Sequence, residues 1–170
     1  MIRVRRTILT VSVWAFTIIS LISAPAFAQK PEIPAAAGGW RVECSANGKA
    51  LDCRAFIEAV QRDSHQVITS FTVRCPTETK KPVMMVQVPL GVLATEPITI
   101  SVDNGQPERT PIQTCTRAGC FAGRPISDAM IAAMQSGKLL KIVFQDMQKQ
   151  PISVSLPLAG FALAYNKIKG

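Results

Sequence analysis

Short stretches in which apolar and polar residues alternate limit the possible folds of this chain more than any other feature. In "PITISVDNG", Ile98, Ile100 and Val102 alternate with Thr99 and Ser101 before a turn-forming Asp-Asn-Gly. "PISVSLP" repeats this pattern further along the chain. A period of two residues puts successive side chains on opposite faces of a β-strand, so each stretch predicts a strand with one buried face.

Eight such stretches occur at short spacing. Besides these two, they are "WRVEC", "CRAFIEAV", "QVITSFTVRC", "PVMMVQVPLG", "ERTPIQTC" and "KLLKIVFQD". Many short strands separated by turn residues are typical of antiparallel sandwiches and barrels. The sequence therefore predicts a mainly β fold, either an antiparallel β-sandwich or a barrel-like domain.

Two stretches have helical periodicity instead. "SDAMIAAMQSG" offers Ser127 as an N-cap and Gly137 as a stop, with an apolar stripe between them, and predicts one short helix. "PLAGFALAYNKI" predicts a C-terminal helix packed on the sheet, with Gly160 in its interior. Its apolar residues recur at helical spacing: Leu158, Phe161, Ala162, Tyr165 and Ile168.

The amino terminus predicts export. It begins with three arginines within six residues, continues with an apolar run from Thr7 to Ser23, and ends in the small-x-small signal "AFA". This order predicts a signal peptide over residues 1–28, cleaved between Ala28 and Gln29. The apolar run is slightly shorter than the ~20 residues that span a bilayer, so an uncleaved anchor is the weaker alternative. No later segment is apolar enough to cross a membrane.

After cleavage, residues 29–39 are predicted to be a flexible lead-in and residues 40–170 one β-rich domain. The whole chain carries 19 basic and 11 acidic residues. Three arginines belong to the leader, so the mature part has a formal charge of 16 minus 11, or +5. Its charges are scattered apart from Lys80-Lys81, which predicts a solvated surface and no nucleic-acid binding. Contact with an anionic lipid or polysaccharide is the alternative.

In an oxidising compartment, cysteines are first of all candidates for disulfides. The chain has five: Cys44, Cys53, Cys75, Cys115 and Cys120. Cys44 and Cys53 keep step with the apolar residues of two strands joined by an Asn-Gly turn, so both are expected to point inward. In a helix, Cys115 and Cys120 would lie about 7.5 Å apart along the axis, beyond the ~7 Å limit, so they can bond only across a turn. Parity with its strand predicts that Cys75 is a buried thiol, with intermolecular pairing as the alternative.

No catalytic, cofactor or metal site is predicted. The cysteine spacings lack a C-x-x-C pair, and the single histidine, His65, has no second histidine at ligand spacing. The common motifs of hydrolases, metalloproteases and nucleotide-binding proteins are absent from the sequence. Several carboxylates in turns and at strand edges are expected to be solvated: Asp52, Glu58, Asp103 and Asp128.

Five landmarks occur in a recognisable order: "WRVECSANGKALDC", "VPLGV", "VDNG", "CTRAGC" and "LAGFALA". Together they resemble the invasion-associated locus B family of bacterial exported proteins, from Trp40 to Ile168. The resemblance implies an envelope protein with a β-rich domain, host-cell entry in some members, and no established biochemical activity. Chain proximity, side-chain parity and this family pattern together predict the bridges Cys44–Cys53 and Cys115–Cys120. Cys75 is not part of the pattern and is expected to remain a free thiol.

The favoured hypothesis is an exported, non-catalytic envelope protein in the periplasm or associated with the outer membrane. It would bind a partner or support the envelope, and the partner would be an envelope or host-surface protein, a glycan or a lipid. A periplasmic enzyme of unknown chemistry and an inhibitor or chaperone-like accessory protein are the alternatives. Convergent titratable groups in a deep pocket would favour the enzyme, whereas a shallow apolar or basic patch would favour the binding protein.

Overall fold

A computed structural model describes residues 36–47, 50–62 and 66–169. The predicted leader, its cleavage site and His65 lie outside these ranges. In chain order the strands are β1 (Ala36–Ala37), β2 (Arg41–Asn47), β3 (Ala50–Val60), β4 (Val67–Arg74), β5 (Val83–Val88), β6 (Ile98–Val102), β7 (Glu108–Thr110), β8 (Thr114–Thr116), β9 (Gly119–Pro125), β10 (Leu139–Gln145) and β11 (Pro151–Pro157). The helices are α1 (Asp128–Ser136) and α2 (Phe161–Lys169).

The strands form two antiparallel sheets, which confirms the predicted mainly β sandwich. The larger sheet has seven strands in the order β1-β3-β4-β5-β9-β8, with β2 pairing with β3 as well. The smaller sheet has four strands in the order β11-β10-β6-β7. Strands β2 and β8 therefore lie at opposite edges of the larger sheet.

The core lies between the inner faces of the two sheets. In the smaller sheet, the inner side chains are the apolar residues that the alternating pattern predicts, and each is at most 7% exposed: Ile98, Ile100, Val102, Leu140, Ile142, Phe144, Val154 and Leu156. From the larger sheet, Ile57, Phe71 and Val86 are fully buried opposite them. Burial of each such side chain stabilises the fold by about 1.5–3 kcal/mol.

Side-chain contacts join the two sheets at both sides of the sandwich. On one side, the Trp40 indole donates from Nε1 to the Pro157 carbonyl at 3.0 Å, and its ring lies 4.7 Å from the Phe161 ring centre. On the other side, the Arg124 guanidinium pairs with the Glu108 carboxylate and donates from Nε to Thr110 Oγ1 at 3.2 Å. These contacts hold the two sheets together at both sides of the sandwich.

Helix α1 forms as the sequence predicts. Ser127 Oγ accepts a hydrogen bond from the Met130 backbone N–H at 3.2 Å, which is the expected N-cap contact. Met130, Ile131 and Met134 are buried. At the far end, a Cβ on Gly137 would lie 2.4 Å from the Val102 side chain, so glycine permits the close approach of the helix end to β6.

The C-terminal helix begins later than predicted. Gly160 has φ +91°, a conformation that glycine adopts readily, and lies before the helix. The prediction that Gly160 is inside the helix is therefore wrong. The buried stripe of the helix contains Phe161, Ala164, Tyr165 and Ile168, so Ala164 takes the place of the predicted Ala162.

The structure has three strands more than the eight predicted. "ERTPIQTC" divides around Pro111 into β7 and β8, since proline cannot donate to a ladder. Strand β9 has the sequence "GCFAGRP", whose glycines and proline disfavour a strand in isolation. It forms because it pairs with β5 on one side and β8 on the other. Within the predicted lead-in, Ala36–Ala37 pairs with β3.

Candidate functional site

Two disulfides fasten the edge strands of the larger sheet to their inner neighbours. Cys44 on β2 bonds Cys53 on β3 with an S–S length of 2.07 Å, and Cys115 on β8 bonds Cys120 on β9 with 2.05 Å. Each pair is directly opposite in its ladder. Because Cys44 and Cys53 are directly opposed and bonded, both side chains lie on the inner face of the sheet. Cys53 packs against the core, but Cys44 lies on an edge strand and is exposed.

Cys75 is a free cysteine just after β4. It is half-buried, not fully buried as its parity suggests, and shares a side-chain hydrogen bond with Tyr165. Desolvation raises the pKa of the Cys75 thiol, and the Tyr165 hydrogen bond and the Lys169 charge lower it by less. Desolvation and the neighbouring thiol also raise the pKa of Tyr165. Because the thiolate is the nucleophile, this thiol is poorly reactive near neutral pH.

The outer face of β2, β3 and β4 carries three ion pairs, and we call it the paired-charge face. Arg54 bonds Glu43 with Nη2 at 2.7 Å and Nε at 3.2 Å from Oε2. The other two pairs are Arg41–Glu58 and Arg74–Asp52. Such exposed pairs contribute only about 0–1 kcal/mol each to stability. Their main consequence is that each arginine on this face is neutralised by an adjacent carboxylate.

Phe56 holds two of these arginines in place. Its ring is on the outer side of β3, yet it is only 7% exposed. The Arg41 and Arg54 guanidinium carbons lie 4.5 and 5.2 Å from the ring centre, within cation–π range. Each guanidinium is therefore positioned both by a carboxylate and by an aromatic ring.

A shallow groove runs from this face across β5 to β9, and we call it the sheet groove. It consists of two adjoining depressions of about 440 and 340 Å³ that share Thr72, Arg74 and Met85. Thr72, Met85 and Gly123 lie opposite one another on neighbouring strands. Met85 is 42% exposed, and Gln113 Nε2 donates to the Gly123 carbonyl at 2.9 Å. The groove thus combines fixed arginines with an accessible methionine.

The four carboxylates singled out in the sequence lie in separate structural settings. Asp52 and Glu58 are in ion pairs, whereas Asp103 accepts hydrogen bonds from the backbone N–H groups of Lys138 and Leu139. Asp128 lies in the first turn of α1. No group of three or more metal-ligating side chains occurs in the described part of the chain. Likewise, none of its helices is long and apolar enough to span a bilayer.

The sequence predicts the bridged cysteines but not the groove. Met85 lies on β5, Gly123 on β9 and Gln113 just before β8, and only the ladder registers bring them together. One signal in the sequence could have indicated the groove: in "PVMMVQV", Met85 alternates onto the outer face of the strand, where a polar residue would be usual.

Comparison with known proteins supplies the family. The sequence model described as "Invasion associated locus B (IalB) protein" matches residues 40–169. The chain belongs to the invasion-associated locus B family. Its fold is similar to the crystal structure of invasion associated protein b from Bartonella henselae, with a TM-score of 0.68 and 26% sequence identity over 76% of this chain and 89% of that one. No curated protein sequence matches the chain.

Proposed function

We propose that this invasion-associated locus B protein is an exported, non-catalytic envelope domain that binds its partner through the sheet groove. The observation that carries the proposal is the groove itself, whose two depressions share Arg74 and Met85 on an outer sheet face. Arginine is enriched among residues that dominate binding energy, and methionine adapts its shape to varied partners. The name of the Bartonella henselae relative supports a role in invasion.

The fixed arginines favour binding because they need little further ordering. Immobilising a long side chain at an interface costs about 0.5–1.5 kcal/mol. Arg54 is already held by Glu43 and Phe56, and Arg74 by Asp52. A partner that contacts these guanidinium faces therefore loses less of its binding energy to ordering of the side chains.

Export with cleavage is part of this proposal. Two disulfides are typical of proteins that fold in an oxidising compartment. Mass spectrometry of the protein from its own periplasmic or outer-membrane fraction should find Gln29, or its cyclised form, as the first residue. An intact Met1 in the membrane fraction would contradict the proposal of export with cleavage.

Site-specific photo-crosslinking in intact cells tests the groove. A photoreactive amino acid in place of Met85 should capture a discrete partner, and the additional change Arg74→Ala should weaken that capture. The matched control places the same amino acid at Leu163, which is 72% exposed on α2, away from the groove. Identical adducts from both positions, or capture that is indifferent to Arg74→Ala, would exclude the groove as the binding surface.

A further inference from the structure

The outer face of the smaller sheet has a different composition, and we call it the hydroxyl-cation face. Because the alternate residues of its strands fill the core, the remaining side chains project away from it. On β6, β7, β10 and β11 these include three hydroxyl residues and two cations: Thr99, Ser101, Ser155, Arg109 and Lys141.

The ladder registers put hydroxyl groups beside each cation. Lys141 lies directly between Ser101 and Ser155 on its two neighbouring strands. Arg109 lies opposite Thr99. Directly opposed residues in an antiparallel pair have Cβ atoms about 4.5–5.5 Å apart. An anionic group at Lys141 would therefore meet one ammonium and two hydroxyl donors.

Neither cation is neutralised within the described residues. Lys141 and Arg109 are both exposed and take part in none of the ion pairs found there. Glu108, the neighbour of Arg109, faces the sandwich interior and pairs with Arg124. Asp103, at the end of β6, is engaged by the backbone N–H groups of Lys138 and Leu139 at 2.9–3.2 Å.

The two cations are too far apart to hold one small ion. Arg109 lies two strands across the sheet from Lys141, and it is displaced by two residues along the strand direction. With ordinary strand spacing and rise, their Cα atoms are about 12 Å apart. Side chains stand roughly perpendicular to a sheet, so the charged groups stay separated. Two anionic groups on one polymer suit this arrangement.

We propose that the hydroxyl-cation face binds an anionic polysaccharide. The cations would contact its acidic groups, and the serine and threonine hydroxyls, which both donate and accept, would contact its sugar hydroxyls. A bilayer surface fits less well, since peripheral binding needs apolar side chains that enter the lipid. Here Val143, two residues from Lys141 on β10, is half-buried, and Leu139 is exposed only at one end of β10. The proposal does not depend on the sheet groove.

Heparin serves as the polysaccharide probe for the mature protein with both disulfides formed. The variant Lys141→Gln/Arg109→Gln should bind immobilised heparin at least about tenfold more weakly than the native protein and elute at lower salt. The matched control is Lys80→Gln/Lys81→Gln, which removes the same charge from the exposed loop between β4 and β5. It should bind nearly as well as the native protein. Melting temperatures check that all three proteins are folded.

Several outcomes would overturn the proposal. They are an absence of heparin binding by the native protein, equal weakening by both double variants, and equal binding to uncharged dextran. Binding to phosphatidylglycerol vesicles that exceeds heparin binding, and that falls with Leu139→Ser, would assign the face to a lipid surface instead. A Met85→Ser variant in the groove should leave heparin binding unchanged, so failure of one proposal is distinguishable from failure of the other.

Discussion

The two outer faces of the sandwich share one core but differ in how their charges are arranged. On the paired-charge face, Arg41, Arg54 and Arg74 each have a carboxylate partner. On the hydroxyl-cation face, Lys141 and Arg109 have none among the described residues. A neutralised face recognises its partner mainly by shape and short-range contacts, whereas an unpaired cation attracts anions over a Debye length of about 8–10 Å. Charge pairing, not charge content, therefore distinguishes what the two faces can bind.

The sheets also differ in what stabilises them. Both disulfides lie in the larger sheet, where each fastens an edge strand. The smaller sheet has a continuous apolar inner face and the Asp103 carboxylate, which fixes the start of β10. These contributions to stability can be measured separately by substitutions in the shared core, in the disulfides, at Asp103 and in the ion pairs.

The largest expected effect comes from the core that both sheets share. Phe161 is fully buried and contacts the Trp40 ring at the side where the sheets are joined. Phe161→Ala should lower the free energy of unfolding by about 3–5 kcal/mol, because it removes an aromatic ring and leaves a cavity. Denaturant unfolding measures this. Leu163→Ala, on the exposed side of the same helix, should change the free energy of unfolding by no more than ~0.5 kcal/mol. Equal effects of the two substitutions would show that α2 is not part of the core.

Removal of either disulfide should have the next largest effect. By the chain-entropy relation, loss of Cys44–Cys53, which spans nine residues, costs about 2.6 kcal/mol. Loss of Cys115–Cys120, which spans five, costs about 2.1 kcal/mol. Double serine variants of each pair, compared by denaturant unfolding, measure both values. A cost near zero for either pair would show that its edge strand is held by the ladder alone.

Asp103 should matter most for the smaller sheet. Its side chain accepts hydrogen bonds from Lys138 and Leu139, and its φ is +49°, a conformation that Asp and Asn tolerate better than Ala. Asp103→Ala should therefore destabilise the protein by about 1–3 kcal/mol. Asp103→Asn keeps an acceptor oxygen and the backbone preference, so it should recover most of the loss. Thermal unfolding of the two variants checks this order, and equal losses in both would show that the charge of Asp103 is the stabilising feature.

The smallest change in stability is expected on the paired-charge face. The variant Glu43→Gln/Asp52→Asn leaves Arg54 and Arg74 without carboxylate partners, yet should cost at most about 1–2 kcal/mol because both pairs are exposed. Its binding to heparin should become stronger than that of the native protein, since two arginines are freed. Unchanged heparin elution would show that carboxylate pairing does not keep this face from binding anions.

The sequence predicts most of the fold because local patterns determine it. Strands such as β6 and β11 alternate strictly, and α1 has both a cap and an apolar stripe, so each is recognisable alone. Strand β9 is not, because its glycines and Pro125 disfavour a strand and only pairing on both sides stabilises it. The helical spacing of apolar residues begins at Leu158, so it places Gly160 inside the helix. In the structure, the φ of +91° at Gly160 separates Leu158 from the helix, which begins at Phe161.

Neither candidate surface could be predicted in the same way. Lys141, Ser101 and Ser155 are distant in sequence and meet only through two ladder registers. The ion pairs depend on which strands are neighbours, as with Asp52 on β3 and Arg74 on β4. Side-chain parity shows which residues face outward, but strand order determines which of them meet.

The difference between the two faces is tested most directly by an NMR titration of the ¹⁵N-labelled mature protein with a short heparin oligosaccharide. Amide shifts should change at Thr99, Ser101 and Ser155, which neighbour the unpaired cations. The amides of Arg54 and Arg74, whose side chains are paired, should stay unchanged. Shifts concentrated at Arg54 and Arg74, with none near Lys141, would contradict the account.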